Sequence, residues 1–140
     1  MSFVDRLKIE DLFVRYASAL DNGDVETVVG CFTADAALES PAIGRISGTA
    51  AIRDFAEQFR SRLTAGAQFR HMITNLAVTV EPGDEQAHAT AYLLVLITRN
   101  GAHRTLPPGR YECELVKEGN AWRFSRRTVS HDHDYSLDEV

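Results

Sequence analysis

Cysteine is scarce in this sequence: only Cys31 and Cys113 occur, and no Cys-x-x-Cys spacing exists. Two thiols in a chain with no visible export signal read as reduced and structural. Excess positive charge is also missing. Fifteen Lys and Arg face 20 Asp and Glu, for a formal charge of -5, and Arg126–Arg127 is too small to form a basic patch. A nucleic-acid footprint is therefore not expected. No long apolar run is present either. The longest, Leu93–Ile97, is far below membrane-spanning length. The first residues, MSFVDRLKIEDLF, lack the apolar core of a secretory leader, so a cytoplasmic location and no membrane partner are expected. Phosphate-cradling glycine loops and Gly-x-Ser-x-Gly elbows are missing too.

What remains is an ordinary globular composition, 44% apolar and 25% charged over 140 residues. That length suits one domain and can bury roughly two-thirds of its unfolded surface, so the core needs no metal or disulfide staple. Ile9, Leu12, Phe13, Tyr16, Ala17 and Leu20 recur at helical spacing and mark one buried stripe. Asn22-Gly23 ends that helix, and Asp24 caps a second over Val25–Phe32. A short strand over Ala36–Glu39 and a hairpin return over Ile43–Ser47 precede a third helix, Ala50–Leu63. From Gln68 the period changes to two. Strands are expected at Phe69–Val80, Gln86–Asn100, Arg110–Lys117 and Trp122–Asp132. Helices first and long antiparallel strands afterwards predict an α+β domain over 1–134, with 135–140 as a frayed tail.

Three residues stand out chemically. Asp21 lies one helical turn beyond Ala17, at the border of the buried stripe. It either caps the helix in water or enters the interior, where a carboxylate requires a partner. His71 shares a strand face with Phe69, Ile73 and Asn75. It is either a hydrogen-bonded core residue or a general base, and the second role needs a carboxylate to steady it. Tyr16 sits on the helix stripe, either as packing or as a hydroxyl turned toward a substrate. Trp122, Phe124 and Arg126 alternate along one strand face, so Arg126 can point inward with the two aromatics, and Arg110 is a further candidate for orienting a substrate; the alternative for both arginines, slightly favoured, is a solvated surface or a dimer-interface salt bridge. His131-Asp132-His133 looks like a metal tract, but no third ligand is identifiable and no functional metal is expected. His88 and His103 have no partner that the sequence can name.

Several segments together resemble one family. RYASALDNGDVETVVGCFTADAALESP and GRISGTAAIRDF are similar to the N-terminal half of nuclear-transport-factor-2-like proteins. RHMITNLAVT and GRYECELVKEGNAWRFSRRTV resemble the strands of the SnoaL-like subgroup, which includes scytalone dehydratase, bile-acid 7α-dehydratase and hexachlorocyclohexane dehydrochlorinase. The resemblance implies a curved antiparallel sheet and N-terminal helices forming a cone around an apolar pocket, the cystatin-like fold, and a homodimer through the outer sheet face. It also implies a catalytic Asp at the end of the first helix, a His before Thr-Asn, and a Tyr five residues before the Asp. Asp21, His71 with Thr74-Asn75, and Tyr16 match. Asn75, Arg110, Trp122, Phe124 and Arg126 are the expected substrate contacts. Ketosteroid isomerase needs a base where this chain has Ser40, with Glu39 on the opposite strand face, so steroid isomerisation is not expected.

The expected activity is that of a cofactor-independent lyase, dehydratase-like, acting on a small, largely apolar cyclic or polyketide-like substrate. The alternatives are a non-catalytic binding protein with the same cavity, or a structural subunit like the small subunit of ring-hydroxylating dioxygenases.

Overall fold

The computed structural model describes residues 2–136. Helix α1 spans Phe3–Asn22, α2 Val25–Gly30 and α3 Thr49–Thr64. The strands are β1 Phe32–Ser40, β2 Gly44–Ser47, β3 Gln68–Val80, β4 Gln86–Arg99, β5 Ala102–Thr105, β6 Gly109–Glu118 and β7 Ala121–His131. They form one sheet in the order β2-β1-β7-β6-β4-β3, with β5 added beside β4. Every pair is antiparallel except β1 with β7, the first strand lying parallel to the last. The curved sheet holds the three helices in its concave side, an α+β arrangement of the cystatin-like class.

The helix starts and stops follow local chemistry. Ser2 caps α1, its hydroxyl accepting from the Asp5 N–H at 3.3 Å. Gly23 ends it in the left-handed conformation, φ 71°, and its N–H closes back on Ala19 and Leu20. A Cβ at Gly23 would stand 3.0 Å from Arg60 Cγ and 3.2 Å from Leu63 Cδ1. Glycine thus serves two needs there: the positive φ, and the close approach of α3. Asp24 caps α2 through Thr27, and the helix stops at Gly30, two residues short of the expected Phe32, which already pairs with β7.

The expected apolar stripe of α1 is the core: Ile9, Leu12, Phe13, Tyr16 and Leu20 are buried against Phe32, Phe124 and Tyr111. Strand β5 was not expected. All four of its residues are exposed, so no apolar alternation marks it. Asn100 and Gly101, both at positive φ, make the tight turn that folds it onto β4. Expected frayed from 135, the chain keeps Tyr135 packed against the core; residues 137–140 lie outside the described residues. No helix among the described residues is long and apolar enough to cross a membrane.

One polar anchor ties the start of α1 to the sheet. Trp122 Nε1 donates to Asp5 Oδ1 at 2.9 Å, and Lys117 Nζ lies 3.1 Å from the same oxygen. The Trp122 bond first, and then Lys117, holds the Asp5 carboxyl below the usual aspartate range. A depressed folded value stabilises the fold above the unfolded pKa, and that stabilisation is lost as pH falls through the folded one. In thermal melts, wild type should therefore exceed Asp5→Asn by a constant margin between roughly pH 5 and 7, and the margin should shrink below about pH 4. A margin independent of pH would show that the carboxylate charge contributes nothing.

Candidate active site

The cavity opens between the concave sheet and the helices. Leu20 of α1, Phe55 and Phe59 of α3, Leu38 of β1, and Phe69, Leu93 and Val95 of β3 and β4 make most of the wall apolar. Polar groups are few. Tyr16, His71, Tyr111, His131 and Tyr135 are the aromatic ones with a polar edge, joined by Ser40, Gln58 and Arg62.

His71 lines this wall and meets Asp21, although 50 residues separate the two. Asp21 Oδ1 lies 2.6 Å from His71 Nδ1. The same carboxylate accepts from the His71 backbone N–H, at 3.0 Å through Oδ2. Both side chains are largely shielded, 6% exposed for His71 and 13% for Asp21. A carboxylate only accepts, so Nδ1 carries the hydrogen, and in the neutral ring the lone pair is then on Nε2. The backbone bond fixes the carboxylate to the strand that carries the imidazole, so the pair is set by main-chain geometry. Phe59 and Phe69 pack on the ring, with centroids at 5.6 Å and 6.5 Å.

Tyr16 lines the cavity beside Tyr111. Burial pushes its hydroxyl well above the ordinary tyrosine range, against the opposing pull of Arg127. Behind the two tyrosines lies Arg127, fully buried. Its guanidinium carbon stands 3.6 Å from the Tyr111 ring centroid, 4.3 Å from Tyr16, 4.4 Å from Phe124 and 5.0 Å from Phe13. Nη1 donates to Cys113 Sγ at 3.3 Å, and no carboxylate pairs with it among the described salt bridges. Burial opposes the charge, but Cys113, Tyr111 and Tyr16 outweigh it and hold the group above the usual arginine value. The negative faces of the four rings stand where a counter-ion would.

Five expected substrate contacts need correction. Arg126 is exposed and Arg127 takes the inward place. The cause is a β-bulge: Glu114 pairs with Arg126 but Leu115 with Phe124, so Ser125 is an extra residue that breaks the alternation. Strict period two along 122, 124 and 126 could not reveal it. Arg110 is exposed between buried Gly109 and Tyr111 and lies 4.0 Å from Glu112 on the outer face. Asn75, at φ 56°, occupies a second bulge in β3 and is exposed. Trp122 and Phe124 do point inward, yet Trp122 is engaged by Asp5 and Phe124 by the ring cluster, and neither lines the cavity.

Tyr111, Arg127, His131 and Tyr135 were missed as site residues. Tyr111 carried a visible signal, since it alternates with Cys113 and Leu115 on the buried face of β6. His131 and His133 do not share a face, because β7 ends at His131 and His133 is exposed beyond it. Among the described residues no three His, Cys, Asp or Glu side chains are grouped to hold a metal ion. Cys31 and Cys113 are free buried thiols.

Residues 2–128 match the SnoaL-like domain family, and the chain belongs to it. An uncharacterized protein of Mycobacterium tuberculosis, Rv2910c, is 28% identical over 125 residues, 88% of this chain and 82% of that protein. A Catenulispora acidiphila protein solved in complex with S-DNPA is 29% identical, with a TM-score of 0.79 over 91% of this chain and 92% of its own. A nuclear-transport-factor-2-like protein of cystatin-like fold from Novosphingobium aromaticivorans superimposes with a TM-score of 0.81 at 22% identity, covering 94% of this chain and 84% of that one. That likeness concerns the fold.

The aromatic cage makes a specific demand on residue 127. Lysine keeps the charge but is more strongly hydrated and cannot stack, whereas methionine fills much of the space with no charge to desolvate. Arg127→Lys should cost about 2 kcal/mol or more, lowering the melting temperature by at least about 5 °C. Arg127→Met should melt above Arg127→Lys. Equal melting of wild type and Arg127→Lys would mean that water reaches the cage.

Proposed function

We propose that this protein is a cofactor-independent lyase, dehydratase-like, acting on a small, largely apolar cyclic or polyketide-like substrate. The observation that supports it above the others is the 2.6 Å contact of Asp21 with His71 at the wall of an apolar cavity. His71 Nε2 takes the proton from a carbon beside a carbonyl. Asp21 holds Nδ1–H, fixes the tautomer and offsets the imidazolium charge. Tyr16, held protonated by burial, donates a hydrogen bond to the carbonyl oxygen as negative charge collects there. The carbon–oxygen bond at the neighbouring carbon then breaks, and the imidazolium hands its proton to the departing hydroxide. The proton taken from carbon leaves as part of water, and His71 returns to its starting state.

A second reading has its own support. The apolar lining and the S-DNPA complex of the Catenulispora acidiphila relative suit a binding protein as well. Proton exchange separates the two. 2-Tetralone, a bicyclic ketone with exchangeable α-hydrogens, incubated with the protein in heavy water should lose its α-proton signals faster than in buffer. His71→Ala should remove the effect, and Asp21→Asn should reduce it about 10²-fold or more. Both variants should melt cooperatively. Exchange no faster than in buffer, or exchange that survives His71→Ala, would favour the binding reading.

We also propose a homodimer through the convex sheet face. Met72 and Tyr92 are 52% and 56% exposed there, and Leu94 and Leu96 share that face of β4. Sedimentation at micromolar concentration should give a dimer that Tyr92→Glu dissociates. A wild-type monomer would overturn the assignment.

A further inference from the structure

The mechanism above leaves several polar groups of the cavity unused, His131 among them. His131 ends β7, four residues after Arg127, on the inward face that Val129 also occupies. Its Nδ1 lies 2.8 Å from the Pro107 carbonyl oxygen. A carbonyl only accepts, so Nδ1 carries the hydrogen and the neutral ring keeps a lone pair on Nε2. Tyr135 packs edge-on against the imidazole, with centroids 4.8 Å apart and planes at 78°. Opposite it in the ladder is Gly109, where a Cβ would stand 3.0 Å from Nδ1, 3.1 Å from Cε1 and 3.1 Å from the Ser130 carbonyl oxygen. The backbone at 109 requires no positive φ. Space for this ring and for the neighbouring carbonyl is the local demand that glycine meets.

The register places His131 relative to the dyad. Ile73, Leu93, Gly109 and His131 form one row across β3, β4, β6 and β7, and His71 with Val95 lies in the next inward-facing row. Three strand spacings, about 14 Å across the sheet, separate the strands of the two histidines, and both rings line the same cavity.

We propose that His131 is a specificity-determining residue: a fixed hydrogen-bond acceptor that selects ligands carrying a hydroxyl, a phenol above all, at the end remote from His71. The inference rests on the reading of this cavity as the substrate site, but not on any proton transfer. The apolar wall gives a ring system little orientation by itself, since apolar contact is non-directional. One acceptor opposite the dyad supplies a direction. A ligand with a carbonyl, ether or halogen at that end leaves the lone pair unmatched.

The test uses two probes of similar shape, 2-naphthol and 2-methoxynaphthalene, titrated into the full chain by calorimetry. Wild type should bind 2-naphthol about tenfold more tightly, the worth of one hydrogen bond. His131→Phe keeps a ring without the acceptor and should bring the ratio close to one. Gly109→Ala keeps the histidine but displaces its ring and should do the same, with melting curves showing both variants folded. His71→Ala should leave the preference intact. A preference that survives both His131→Phe and Gly109→Ala, or that vanishes in His71→Ala, overturns the assignment, and so does binding of neither probe to the folded wild type. Proton exchange at 2-tetralone is read separately. Exchange without a hydroxyl preference sinks only the role of His131, and a preference without exchange sinks only the lyase.

Discussion

A cation that pairs with no carboxylate among the described residues sits in the core of this fold, and much of the site depends on how it is accommodated. An isolated charge in the interior is costly because water no longer solvates it. Arg127 meets that cost with the faces of four rings drawn from three different elements: Phe13 and Tyr16 from α1, Tyr111 from β6, and Phe124 from its own strand. The attraction therefore clamps the helix onto the sheet at a set depth and rotation. Non-directional burial of Ile9 and Leu12 would tolerate small rotations of α1; four ring faces around one planar group tolerate fewer. Tyr16 and Tyr111 are shared between the cage and the cavity wall, so the interaction that locks the core also aims the tyrosines of the site.

The position of Asp21 follows from that clamp. It lies five residues after Tyr16, in the last turn of α1, and the left-handed Gly23 stops the helix two residues later. A longer helix would carry the chain past the cavity, and a shorter one would leave the carboxylate off the stripe. Its bond to the backbone N–H of His71 then ties the helix end to β3. The carboxylate thus meets its need for partners with groups that cannot move independently of the sheet. Such a pair is already arranged before any ligand arrives, and prearranged geometry is where acid–base chemistry in an apolar pocket gains most.

How much of this was legible in the sequence depended on whether the period of the chain stayed regular. The α1 stripe, the Gly23 stop and the four long strands follow from spacing, because burial on one face imposes that spacing directly. Asp21 and His71 could each be named as ambiguous groups at a buried border, and family resemblance paired them. Where the backbone breaks period, the reading turned the wrong side inward. One extra residue at Ser125 exchanged Arg126 for Arg127, and the bulge at Asn75 turned that side chain out. Nothing in the composition of either stretch announces a bulge, since the extra residue is accommodated by the partner strand. Strand β5 escaped for a different reason: it is exposed throughout, and the hydrophobic signal on which the reading relied is simply not there.

The same reasoning explains why each of the two histidines in the cavity wall is held by a group outside it. An apolar wall raises the cost of any unpaired donor or acceptor, so a polar side chain in the wall must have part of its hydrogen-bonding capacity met by the protein. His71 gives one nitrogen to Asp21, and His131 gives one to the Pro107 carbonyl. In both rings the bonded nitrogen is Nδ1 and the partner accepts only, so both imidazoles present the same kind of edge, an acceptor. Their difference lies in what stands behind them. A carboxylate can offset the charge that appears when a ring takes a proton, whereas a neutral carbonyl offsets far less of it. Proton abstraction is therefore favoured at His71 and acceptance of a hydrogen bond at His131, a division of roles set by the second partner of each ring and not by the rings themselves.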